Sequence, residues 1–131
     1  MGAQRLQKYF FIALGGSLGA IARFWVGTTV SARMGTHFPF GTFFINVSAC
    51  LLIGLSLELL NRRTEIHPSW RFFFPIGFLG AYSTFSSFEW DTFTAMHSGA
   101  FWLAILYVAA SVILGFIAVG VGVTLARVLS R

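Results

Sequence analysis

Apolar positions in this chain run in long blocks; they neither alternate nor recur every third or fourth residue. A half-buried strand would alternate, and a surface helix would carry charge on one face at every turn. Blocks of about 20 mostly apolar residues instead match the roughly 30 Å hydrocarbon core of a bilayer. Four segments reach that length: residues 9–30, 40–60, 72–95 and 100–126. The first is charged only at Arg23, the second carries Asn46 and Glu58, the third holds Glu89 and Asp91, and the fourth has no charge. The connections are short, so neighbouring helices are expected to be antiparallel. The pattern predicts one all-α integral membrane domain over residues 1–131, with four transmembrane helices.

Composition strengthens that reading. Of 131 residues, 56% are hydrophobic and 10% charged, and 16 are Phe. Soluble domains keep about 25% of their residues charged, so an ordinary soluble enzyme, a disordered tail and a disulfide scaffold are excluded. The net charge of +5 would suit nucleic acid, but the cations are in the wrong places for it. Arg5, Lys8, Arg62, Arg63, Arg71, Arg127 and Arg131 flank the apolar blocks on one side, against Arg33 on the other. Cytoplasmic loops carry such an excess, which predicts both termini in the cytoplasm. Residues 1–22 have the basic start, the apolar run and the Ala20-Ile21-Ala22 triplet of a cleavable signal. The apolar run resumes after Arg23 and three spans follow, so cleavage is not expected. Cys50 is the single cysteine and forms no intrachain disulfide. His37, His67 and His97 share no metal-ligand spacing, and HExxH, CxxC, P-loop and GxSxG motifs are absent.

Polar groups inside a span are costly and mark functional sites. The third span concentrates them. Gly77 and Gly80 precede Ser83, Thr84, Ser86 and Ser87, and Pro75 lies near its start. Gly, Ser and Thr weaken a helix and offer the backbone other partners, which predicts a break around residues 80–84. Unwound backbone exposes carbonyls that hold cations and N–H groups that favour anions. Phe85 and Phe88 are three apart and share a helix face; a phenyl edge is electropositive and attracts a small anion without charge. Packing or lipid contact is the alternative for these rings. Thr42 and Asn46 on the second span, and Tyr107 and Ser111 on the fourth, are each spaced i, i+4 and offer donors; for Thr42 and Asn46 the span alone favours an interhelical hydrogen bond. Arg23 has to snorkel, pair with Glu89 or Glu58, or line an aqueous vestibule. Gly15 and Gly19, with Gly16 and Ala20 beside them, make a close-packing face; Gly115, Gly120 and Gly122 thin the fourth helix.

The string GFLGAYSTFSSF at 77–88 resembles the third span of the Fluc family of small fluoride channels, also called CrcB, which reads close to GFLGGxTTFSTF. Ala81 and Ser83 depart from that pattern, and both are small. Gly15-Gly16-Ser17-Leu18-Gly19-Ala20 with Arg23 is similar to the family's first span, and Gly41-Thr42 with Asn46-Val47 to its second. The resemblance implies an antiparallel homodimer with two pores, inserted both ways in a bacterial inner membrane, and a passive fluoride-selective leak conferring fluoride resistance. It implies pore contacts for Phe85, Phe88 and Asn46, with Thr42, Ser83, Thr84, Glu89, Tyr107 and Ser111 along the path. It also implies a vestibule role for Arg23 and a structural sodium ion at the dimer interface, held by backbone carbonyls of Gly80 and Ser83. The cation asymmetry, by contrast, predicts one orientation. Two other functions fit the spans: a proton-coupled four-helix exporter using Glu89, and a structural anchor subunit without transport.

Overall fold

A computed structural model describes residues 2–130, which form helices and no strands. Helix α1 spans Gly2–Met34, α2 spans Phe40–Arg62 and α6 spans Phe101–Leu129. All three are long and apolar enough to cross a membrane. Between α2 and α6 the chain is built from shorter pieces: α3 (Ser69–Arg71), a π-helical stretch (Phe72–Phe78), α4 (Leu79–Tyr82) and α5 (Phe85–His97). The expected single span over 72–95 is therefore several helices. Pro75 explains part of this. It has no N–H to donate, so the hydrogen-bond ladder widens around it, and the Leu79 N–H reaches back five residues to the Phe74 carbonyl.

Glycines set how closely the helices approach. A Cβ on Gly15 would strike the Phe73 carbonyl oxygen, and one on Gly19 the Phe78 carbonyl oxygen. Gly77 faces the Ile12 carbonyl from the other side. Thus α1 lies backbone to backbone against the π-helical stretch, as the small residues of its first half predict. The same holds for α2 and α6, where Gly54 meets the Val119 carbonyl and Gly122 the Leu51 carbonyl. Gly120 faces open space and plays no such part.

The order of contacts fixes the directions. Cys50, Gly54 and Glu58 on α2 face Gly115, Val119 and Arg127 on α6, so these two helices run parallel. The chain between them therefore returns along the bundle, and it does so beside α1, with Lys8 over the Phe72 ring and Gly19 at Phe78. A buried cluster of Ile45, Ala49, Leu79 and Tyr82, flanked by Ala22 and Val26, joins α1, α2 and α4.

One end of the bundle is cationic. Glu58 accepts from Arg62 Nε at 2.7 Å and from Arg127 Nε at 3.0 Å. Arg63 donates to the Leu129 carbonyl, and Arg71 to Asn61 Oδ1. Glu58 is thus committed at this end and does not pair with Arg23. Arg131, one of the seven flanking cations, lies outside the described residues. Most of the outer surface is apolar, with Phe24, Trp102 and Phe116 among the widely exposed side chains.

Candidate functional site

The chain leaves helical conformation at Ser83 and Thr84, whose ψ angles are 157° and 114°. The predicted interruption lies at its C-terminal end; Gly80 itself is helical. Two neighbours from α2 hold the break. Asn46 Nδ2 donates to the Thr84 carbonyl at 3.0 Å, and the Thr84 N–H donates to Asn46 Oδ1 at 2.9 Å. Ser48 and Tyr82 share a hydrogen bond between hydroxyls at 2.9 Å. Thr84 also caps α5: its Oγ1 accepts from the Ser87 N–H at 3.2 Å. Capping leaves fewer orphan donors at the new helix start.

Two clefts flank the break. One, of about 330 Å³, is lined by Asn46, Pro75, Gly80, Ser83, Thr84 and Phe85. Gly80 is exposed there, with nothing near the position a Cβ would take. The other, of about 430 Å³, holds Arg23, Thr28, Thr42, Thr84, Ser86 and Ser87. Arg23 is half-buried in this polar cleft, and among the described residues no carboxylate forms an ion pair with it. Thr84 lines both clefts.

Phe85 and Phe88 start α5 with ring centroids 5.9 Å apart. They differ in burial: Phe85 is 74% exposed and Phe88 9%. The Phe88 ring packs 5.1 Å from that of Tyr107, which is fully buried, and Phe38 meets Tyr107 edge-on at 5.3 Å. The Tyr107 and Ser111 hydroxyls are buried without a hydrogen-bond partner among the described residues. Thr42 and Asp91 face the Tyr107 hydroxyl, but neither reaches hydrogen-bond geometry. Each buried polar group left so costs about 1–3 kcal/mol.

The structure therefore gathers Phe88, Tyr107 and Thr42 on one side of the break and Asn46, Ser83 and Gly80 on the other, with Thr84 between them. Ser83 Oγ turns inward to the Leu79 carbonyl at 3.0 Å. Glu89 stands apart, exposed at the surface of the chain. Asp91 is the acid near Tyr107, and its Oδ2 is buried without a hydrogen-bond partner among the described residues. Sequence spacing carries a signal for it: Asp91 is three residues beyond Phe88 and shares its face, whereas Glu89 is turned about 100° away. Asp91 also lines a pocket of about 280 Å³ with Thr36, His37, Trp90, Thr94 and Ser98.

Residues 10–123 match the CrcB-like protein family, also described as Camphor Resistance (CrcB). The chain belongs to this family. It is 50% identical over 120 residues to a protein of Solibacter usitatus named fluoride-specific ion channel FluC, covering 92% of this chain and 98% of that one. A protein of Acidobacterium capsulatum with the same name is 50% identical over 115 residues, 88% of this chain and 92% of that one. Another in Synechococcus is 36% identical over 127 residues, 97% and 98% of the two chains. These relatives are bacterial, and with three apolar membrane-length helices this CrcB-family chain is a multi-pass bacterial membrane protein. The family is one of ion channels rather than enzymes.

Proposed function

We propose that the protein conducts fluoride passively, as a bacterial inner-membrane channel that confers fluoride resistance. Relatives 50% identical along nearly their whole length bear that activity in their names, and this observation carries the reading. In the proposed channel the segment from α3 to α5 is the fourth crossing, since it returns between the parallel α2 and α6. The working unit is an antiparallel homodimer with two pores. The wide exposure of Phe85 supports a second copy beside it, because a ring at a pore needs a wall on its far side.

Fluoride is small and strongly hydrated, so the path has to replace its water. The edges of Phe85 and Phe88 supply electropositive hydrogens without a fixed charge that would trap the ion. The hydroxyls of Thr42, Tyr107 and Ser111 donate along α2 and α6. Ser83 and Thr84 line the approach, Asn46 offers the amide hydrogen that Thr84 does not use, and Arg23 concentrates anions in the polar cleft. Glu89 borders the path from outside. Gly80 and Ser83 fit a structural sodium ion at the dimer interface: Gly80 is open, the Ser83 carbonyl lies outside any helix, and neutral oxygen donors suit a hard monovalent cation. Such an ion would bridge two copies; the anion path is made by the side chains.

The test is fluoride efflux from vesicles holding purified protein, read by an ion electrode against chloride. Voltage-driven fluoride efflux without a proton gradient is expected. Efflux that needs a proton gradient and disappears in Glu89→Gln would assign the exporter instead. Unaltered flux after replacing Asn46, Phe85 and Phe88 together would leave an anchor subunit.

A further inference from the structure

In an unbroken helix the Thr84 N–H would bond to the Gly80 carbonyl, four residues back. Here that donor goes to Asn46 Oδ1, while Asn46 Nδ2 covers the Thr84 carbonyl. One side-chain amide thus satisfies both backbone groups of the residue that has left the helix. Buried backbone groups without partners are rarely tolerated, and Thr84 is only 8% exposed. Without this amide, the cheapest remedy for Thr84 is to close the helix onto Gly80. The neighbouring bonds point the same way. The Ser83 N–H and Oγ both use the Leu79 carbonyl, at 3.0 Å each, so neither covers the Gly80 carbonyl, the first of those at the break to lose its helical donor. Ser48 holds Tyr82 on the other side of the break, so α2 grips both ends of the gap.

We infer that Asn46 is a positioning residue: its two-bond hold on Thr84 keeps α4 and α5 apart and leaves the Gly80 carbonyl free to hold a cation. The cation is the sodium ion of the proposed function, and the inference rests on that reading. Asn46 thereby has a second task beside the anion path. It builds the backbone that the dimer closes around.

The full-length protein in detergent is melted in sodium chloride and in choline chloride, and backbone exchange with deuterium is followed on peptides covering residues 80–88. The native protein is expected to melt higher in sodium. Asn46→Leu is expected to lose that difference and to exchange the Thr84 amide roughly five- to tenfold faster, the change one hydrogen bond carries. Asn46→Asp keeps an oxygen for the Thr84 N–H and is expected to retain slow exchange and the sodium effect, even where its fluoride flux is lost. A leucine variant with slow exchange and an intact sodium effect overturns the inference. Where that variant yields no dimer, the aspartate variant decides, and its loss of slow exchange or of the sodium effect overturns it. Equal melting of the native protein in both salts removes the sodium reading, while the exchange rates still judge the hold on Thr84.

Discussion

Helix α6 and the segment from α3 to α5 pass through the same bundle and solve it differently. Helix α6 runs unbroken for 29 residues and presents a surface that is apolar apart from Tyr107, Ser111, Thr124 and, in its last turn, Arg127. The broken segment widens at Pro75, stops at Ser83 and restarts at Phe85, borrowing donors and acceptors from α2 to do so. In an apolar medium the first solution costs little, and the second survives only because protein covers the exposed backbone. What the second gains is chemistry: side chains and carbonyls at mid-bundle that an unbroken helix would hold in its own ladder.

The largest effect is expected where that contrast depends on packing alone. Gly122 on α6 meets the Leu51 carbonyl with no room for a methyl group, and backbone cannot step aside as a flexible side chain can. Gly122→Leu should cost about 3 kcal/mol or more and abolish recovery of folded protein by size-exclusion chromatography. Gly120→Leu, two residues away and facing open space, should be recovered like the native chain. Equal recovery of both would show that α6 does not rely on close approach. Next comes Phe88→Ile, which removes a ring packed on Tyr107. Vesicle efflux of fluoride should fall roughly five- to tenfold, for an aromatic contact of about 1 kcal/mol, while the assembly remains intact by chromatography.

The two regions were not equally legible from sequence. Block length alone marked α1, α2 and α6, because lipid demands the same of every span. The break was legible as a tendency of Gly, Ser and Thr, and its neighbourhood was found to within a few residues. Its place at Ser83 and Thr84 depends on Asn46, 38 residues away, and local propensity holds no trace of that partner. Phe85 and Phe88 look alike by spacing, yet only Phe88 is covered within the chain. Glu89 drew attention as a charge in a span, but the turn of the helix puts Asp91 beside Tyr107 instead. Short-range periodicity finds faces; which face meets which neighbour is a tertiary fact.

A smaller effect separates stability from transport. The Tyr107 hydroxyl is buried and has no hydrogen-bond partner among the described residues. Tyr107→Phe keeps the ring packed against Phe38 and Phe88 and removes only the oxygen. Melting should rise or stay level, by up to about 1 kcal/mol, while fluoride efflux drops. A variant that melts lower would mean that the hydroxyl has a structural partner, and its proposed place on an anion path would lose support.

The smallest effect distinguishes the two bonds that converge on Thr84. Its backbone is held by Asn46, while its side chain caps α5 through the Ser87 N–H. Thr84→Ala removes the cap and leaves the Asn46 bonds in place, so the loss should be about 1 kcal/mol, as for other N-cap replacements. Thr84→Ser keeps an oxygen for the Ser87 N–H and should melt like the native protein. The sodium effect on melting should survive in both, because neither touches the donor that Asn46 takes from Gly80. If Thr84→Ala instead cancels the sodium effect, the cap and the break are one cooperative unit, and α5 has to start in place before the gap behind it can stay open.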